Sequence, residues 1–252
     1  MRTALNRYGP IAAYAAVILV NYLSNALPLN GQTQSDIAAR YPSPFTPAGF
    51  TFSIWGLIYL LLLGYLVYQV RPARASDRIL GRVSWLFMAS CAANVSWLVV
   101  WHYDLLWLSL LIMLAILAAL VAIYRTLGET RADAGLTEKL LLHLPFSIYL
   151  GWITVATIAN ISIIQTGMGW DDASLSAVDW TLLKLALAAT IAGVMVLRQG
   201  NIAFGLVVAW AAFGISSKQA AIPAISGAAT AIMFLALMLA AFQAARPLRS
   251  RR

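Results

Sequence analysis

The chain has little of what most enzymes and secreted domains are built around. Its single cysteine, Cys91, excludes an internal disulfide, and two histidines, His102 and His143, leave no dense set of metal ligands. No Walker loop, dinucleotide glycine fingerprint, HExxH or GxSxG occurs, so ATP-driven transport and the familiar hydrolytic chemistries have no footing here. Charge is scarce as well: 10% of the 252 residues are Asp, Glu, Lys or Arg, while 62% are hydrophobic and the mean hydropathy is +0.80. Those values exclude an ordinary soluble domain.

What the chain does have is eight long apolar stretches, at about 9–27, 48–70, 80–101, 104–125, 140–165, 179–197, 200–216 and 221–244. A run of roughly 20 apolar residues crosses about 30 Å of hydrocarbon as a helix, because a helix satisfies every backbone polar group within its own segment. The expected fold class is therefore all-α: a polytopic transmembrane helix bundle of about eight spans. The lipid bilayer is its first partner.

In a soluble protein the net charge of +8 would point to nucleic acid. Here the basic residues fall at alternate helix ends, and no nucleic-acid partner is expected. With the N-terminus placed in the cytoplasm, the inside segments hold Arg2, Arg7, Arg71, Arg74, Arg78, Arg82, Arg125, Arg131, Lys139, Arg198, Arg246, Arg249, Arg251 and Arg252, which is 14 of the 17 basic residues. The outside segments hold only Arg40 and Lys218, beside Asp36, Asp104, Asp171, Asp172 and Asp179. This asymmetry predicts that both termini are cytoplasmic, with the bacterial cytoplasmic (inner) membrane as the expected location. The basic tail from Arg246 to Arg252 reads as a topogenic, headgroup-contacting end. Arg2 and Arg7 ahead of an apolar run that ends in Ser24-Asn25-Ala26 have the outline of a signal peptide. The run is longer than a usual signal core and carries Asn21 and Asn25, so a retained first helix is expected.

The longest outside loop, about 28–47, holds Pro28, Asn30, Gly31, Pro42, Pro44 and Pro47 and cannot be one continuous helix. A loop of that length in a tightly connected bundle points to a lid over an outward-facing cavity. The second outside loop, about 166–178, carries Gly167, Gly169, Trp170, Asp171 and Asp172.

Nine tryptophans are spread through the chain. Trp85, Trp107, Trp170 and Trp180 lie near predicted helix ends, where an amphipathic ring suits the headgroup level. Trp55, Trp97, Trp152 and Trp210 lie deeper and serve either bundle packing or ligand contact. Asn94 and Trp97 are three apart; Trp152 and Asn160 are eight apart with Thr157 between them, so each set shares a helix face. An amide in hydrocarbon needs a partner. Two readings stay open: an Asn94–Asn160 hydrogen bond that glues two helices, or a pocket lined by amides and indoles. Lys184, one and a half turns into the sixth span, is either functional within the membrane or snorkels toward Asp179 or Asp172. Ala220, Ala224 and Ala228 form a small-residue stripe suited to close packing.

Three segments resemble the tryptophan-rich sensory protein or translocator protein family (TspO/MBR). Residues 45–59, Phe45-Thr46-Pro47-Ala48-Gly49-Phe50 through Trp55 and Tyr59, are similar to its W-T-P-P-G-W-x-F-x-x-V-W-x-x-L-Y at the start of the second helix. Asn94-Val95-Ser96-Trp97 resembles the N-x-x-W of the third, and Trp152 to Asn160 the W-x-[ST]-x-A-T-x-x-N of the fifth. The likeness covers about residues 9–165. It implies a five-helix bundle, placed at 1–170, with a central pocket beneath the first loop for porphyrins, sterol-like molecules and other flat apolar ligands. Carried over, Trp55, Tyr59, Asn94, Trp97, Trp152 and Asn160 become ligand-binding candidates, and Thr46, Pro47, Gly49 and Phe50 the lid loop.

The chain departs from the family pattern at Phe45 and Ala48, which replace a tryptophan and a proline. Leu144-Pro145-Phe146 also sets its proline seven residues before Trp152, where the family has a shorter interval. Residues 171–252 add three spans and the basic tail, an extension that could replace the homodimer contact implied by the resemblance. The expected function is that of a binder of a hydrophobic, planar small molecule, acting as sensor, carrier or scavenger. No cofactor is required, and a porphyrin or haem-type tetrapyrrole is the expected bound molecule. The rivals are a transporter of such a molecule or of a small metabolite, and a porphyrin-degrading enzyme. The first lacks charged pairs at midplane, and the second lacks an acid–base pair.

Overall fold

The computed structural model describes residues 2–27, 29–131, 133–170 and 175–246. Among these residues the regular structure is all helical, without strands. It forms α1 (Ala4–Ala26), α2 (Gln34–Arg40), α3 (Ile54–Gln69), α4 (Arg78–His102), α5 (Leu106–Gly128), the single turn α6 (Leu136–Glu138), α7 (Leu144–Gly167), α8 (Ala177–Leu197), α9 (Ile202–Lys218) and α10 (Pro223–Ala245).

All eight expected apolar segments are helices. Six of the helical stretches, Gly49–Gln69, Arg78–His102, Leu106–Gly128, Leu136–Gly167, Ala177–Leu197 and Pro223–Ala245, have the length and apolarity to cross a membrane. A seventh arises if α1 and its bent continuation count as one span. The shortfall from eight has a physical cause. Asn6, Arg7, Asn21 and Ser24 dilute the apolar content of α1. At 17 residues α9 reaches only about 26 Å at 1.5 Å per residue, just under the hydrocarbon thickness. Arg249, Arg251 and Arg252 of the basic tail, and Asp171 and Asp172 of the second loop, lie outside the described residues.

Helix starts follow local capping chemistry. The Asp77 carboxylate accepts from the amides of Ile79 and Leu80 at 3.0 and 3.1 Å, which opens α4. Thr33 with Asp36, and Ser176 with Asp179, form reciprocal capping boxes at α2 and α8. Asn201 accepts from the amide of Phe204 at 3.1 Å to start α9. Pro145 sits in the first turn of α7, where its missing N–H is tolerated; the turn before it, Lys139–His143, widens to a π-helix. That widening is the local consequence of placing the proline where it is.

Two compact units emerge. The first comprises residues 1–42 and 53–168, the second 43–52 and 169–252. Residues 43–52, expected with the first five helices, thus group with the last three. In the first unit α4 packs on α1 and α5, α5 on α7, and α7 on α3. Most side chains of α7 are buried. One end of this core is an aromatic triad from three helices: Tyr65, Phe87 and Phe146, each 0% exposed, meet edge to face with centroids 4.9–6.0 Å apart. Arg2 closes that end, its guanidinium donating to the Gln69 carbonyl at 2.9 Å and to the Ser84 hydroxyl at 2.6 Å.

In the second unit α8, α9 and α10 pack mutually. Gly200 takes φ +65° in the short α8–α9 turn, a left-handed backbone that glycine adopts without steric cost. Lys184 is buried on α8, and the Asp179 carboxylate is engaged by Ser176 of its own capping box at 2.6 Å.

Candidate functional site

Of the six candidates, Trp55, Tyr59 and Trp152 come together. Trp55 and Tyr59 lie four apart on α3, so their rings share a face; they stack at 5.5 Å with an interplanar angle of 25°. Trp152 on α7 meets Trp55 edge-on at 6.4 Å, and Tyr149, one turn earlier, does the same at 5.9 Å. Trp152 is 2% exposed and Trp55 is half-buried, so Trp55 is the ring with room to move. On the far side of Tyr59, Tyr14 of α1 packs edge to face at 6.5 Å and its hydroxyl donates to the Tyr59 carbonyl at 2.9 Å.

Asn94 lies beside Tyr149 at the edge of this cluster. The Asn94 carbonyl oxygen accepts from the Asn21 amide of α1 at 3.3 Å. Asn160 lies two turns along α7 and is bound instead to α5: its amide donates to the Ser109 hydroxyl at 3.1 Å. Neither asparagine bonds the other. Both amides tie helices together, each with a partner from a third helix.

Trp97 stands apart from the Trp55 cluster. It stacks on Trp101, one turn along α4, at 5.2 Å and 18°. This pair belongs to a small core of Ile37, Trp101 and Ile163, bordered by Ala38, Tyr41 and Leu106, which seats α2 on the end of α4 and α7. The Trp101 indole donates to the Gln34 carbonyl at 3.3 Å. Asp104, at φ +59° in the α4–α5 turn, accepts from the Tyr41 hydroxyl at 2.8 Å and pairs with Arg40 at 3.2 Å. Burial, and then the Asp104 carboxylate, raise the Tyr41 phenol above its ordinary range.

Among the buried polar atoms without a hydrogen-bond partner in the described residues are the Tyr59 hydroxyl and the Trp97 indole N–H, both donors. A donor left unpaired away from water costs about 1–3 kcal/mol, so each marks a place where a polar edge from outside the chain would be welcome.

The expected lid residues have a different setting. Thr46 and Pro47 are buried and Gly49 and Phe50 exposed, all within the second unit. The Ala48 amide donates to the Gly214 carbonyl at 3.0 Å, the Trp210 indole to the Thr51 carbonyl at 2.9 Å, and the Gln219 amide to the Pro44 carbonyl at 3.1 Å. Phe50 packs on Trp210 and Phe213 at 5.6 and 5.5 Å. The segment is thus fastened to α9. Trp210 packs on this loop.

Sequence reasoning missed Tyr149, Ser109, Tyr14 and Trp101 as partners of the candidate residues. Tyr149 carried a usable signal, since it lies three before Trp152 on the same face of α7.

The family model described as TSPO-like protein matches residues 8–242. The chain belongs to the TSPO-like protein family. The matched region runs through α8, α9 and α10, so these helices are part of what this family model describes. No curated protein and no solved structure matches the chain. As a TSPO-like protein it is an integral membrane protein, in keeping with its long apolar helices.

Proposed function

We propose that this TSPO-like protein binds a planar hydrophobic ligand, of the tetrapyrrole or sterol-like kind, beside Trp55, Tyr59 and Trp152, and acts as a sensor, carrier or scavenger. The observation that carries the reading is the half-buried Trp55, stacked on Tyr59 and edge-on to Trp152 inside a membrane helix bundle. A flat ligand would exchange one ring contact of Trp55 for another, at little cost in buried apolar area. The unpartnered Tyr59 hydroxyl would then meet a polar edge of the ligand. In this reading Asn94 borders the cluster beside Tyr149. Trp97, stacked on Trp101, and Asn160, bonded to Ser109, lie outside it.

The proposal includes both termini on the cytoplasmic side of a bacterial inner membrane. The run of basic residues at the ends of α1, α3, α4 and α5 supports it. The test is quenching of tryptophan fluorescence by protoporphyrin in detergent or nanodiscs. Saturable quenching is expected, lost in Trp55→Ala and weakened in Tyr59→Phe, with the porphyrin recovered intact. Quenching that never saturates, or is unchanged in Trp55→Ala, would overturn the reading. An altered porphyrin spectrum after illumination would replace binding with degradation, and flux between liposome compartments would replace it with transport.

A further inference from the structure

Next to the aromatic cluster, with Tyr14 shared between them, α1 and α3 border an apolar groove of about 540 Å³, lined along α1 by Ile11, Ala15 and Leu19 and along α3 by Leu63, Val67 and Val70. The two helices make few contacts with each other, and Leu19, Tyr22, Leu63 and Val67 are exposed on its rim. On α1 the lining runs from Ile11 to Tyr22, about 16 Å at 1.5 Å per residue, close to one leaflet of a hydrocarbon core about 30 Å thick. An apolar slot one leaflet deep, open toward the bilayer, has the dimensions of a lipid tail.

Charge at one end of the groove narrows the choice further. Val70, the last lining residue of α3, offers its carbonyl to Arg7, whose Nε and Nη2 donate to it at 2.9 and 2.6 Å. Arg71 follows directly, exposed, with its guanidinium 5.8 Å from the Tyr68 ring. Arg74 is matched by Asp77 and Glu138 at 3.6 and 3.9 Å, whereas neither Arg7 nor Arg71 has an ion pair among the described residues. Two surplus cations therefore stand at the mouth of an apolar slot, where a headgroup would lie. We infer that the α1–α3 groove is a binding site for an anionic phospholipid, with one acyl chain between the helices and the phosphate against Arg7 and Arg71.

The experiment is native mass spectrometry of the full chain in micelles holding equal amounts of dioleoyl phosphatidylglycerol and dioleoyl phosphatidylcholine. One retained lipid is expected, the phosphatidylglycerol favoured. Arg71→Gln, which removes no hydrogen bond within the fold, should cut that preference about fivefold, the size of one basic residue near an anionic headgroup. Ala15→Trp fills the groove and should abolish retention of both lipids. Leu19→Trp, at the exposed rim, gives the same test should Ala15→Trp not fold. No preference in the wild type, a preference unaffected by Arg71→Gln, or retention unchanged in the filled variants would each overturn the site. A dimer that the filled variants dissociate would also overturn it and assign the groove to a second copy. Because Trp55 and Tyr59 do not line the groove, protoporphyrin quenching should be intact in Arg71→Gln, which separates failure here from failure of the proposed function.

Discussion

Thr51 lies directly over the bare Cα of Gly214, so close that a Cβ at position 214 would collide with its side chain. On either side of this contact the backbone is bonded: Ala48 N–H to the Gly214 carbonyl, and the Trp210 indole to the Thr51 carbonyl. A ten-residue segment between the first two long helices is thereby locked onto a helix more than 150 residues later in the chain. Any motion of Thr46 to Phe50 must first break its contacts with α9.

Gly214→Ala should therefore loosen the segment. The added methyl forces Thr51 away, an overpacking cost of about 1–3 kcal/mol, and it should appear as a lower unfolding temperature in detergent together with faster proteolysis near Gly49. Thr51→Ala removes the colliding hydroxyl and methyl and leaves its Cβ 3.0 Å from the new one. The double variant should recover most of the stability. A Gly214→Ala protein as stable as the wild type would mean that the contact is not close in solution.

Tyr59→Phe separates a structural role from a binding one. Its hydroxyl has no partner among the described residues, so its removal should leave stability unchanged or raise it by up to about 1–3 kcal/mol. Protoporphyrin quenching should weaken at the same time. A variant with loss of both stability and binding would show the hydroxyl to be bonded within the fold.

The helices were legible because hydrophobic runs and their charged breaks are written in the chain itself. Their neighbours were not. Periodicity places Asn94 and Asn160 on inward faces, yet it says nothing of which helix stands opposite, and the partners are Asn21 for one and Ser109 for the other. The stacking of Trp55 on Tyr59 follows from a spacing of four. The distance between Trp97 and the Trp55 cluster does not follow from any spacing. Least legible was the docking of residues 43–52, because it depends on main-chain groups of Ala48 and Thr51 and on the side chain that Gly214 lacks.

Asn160 and Ser109 provide a measure of polar glue between α7 and α5. Each single alanine variant leaves the other buried group short of a partner, while Asn160→Ala with Ser109→Ala removes both. Thermal unfolding of the four proteins should give a coupling of about 0.6 kcal/mol and no more than about 2, the range for hydrogen bonds between membrane helices. Coupling near zero would reassign both residues to interactions with other groups.

Asp36 is the place to look for acid sensitivity outside the membrane spans. Its carboxylate accepts from the Thr33 amide and hydroxyl, both at 2.8 Å, and these bonds hold its pKa below the ordinary aspartate range. A depressed pKa in the folded state means that the contribution is complete above the unfolded-state value and is lost as pH falls through the folded one. Near neutral pH α2 should be fully capped; in strong acid the Thr33 amide loses its carboxylate acceptor, and the Asp36 amide is left with a Thr33 hydroxyl that the carboxylate no longer holds in place. Hydrogen exchange at those amides should accelerate on acidification beyond the intrinsic trend. In Asp36→Asn, which cannot titrate, that additional acceleration should disappear. If both proteins follow the same pH profile, the capping box does not set the stability of α2.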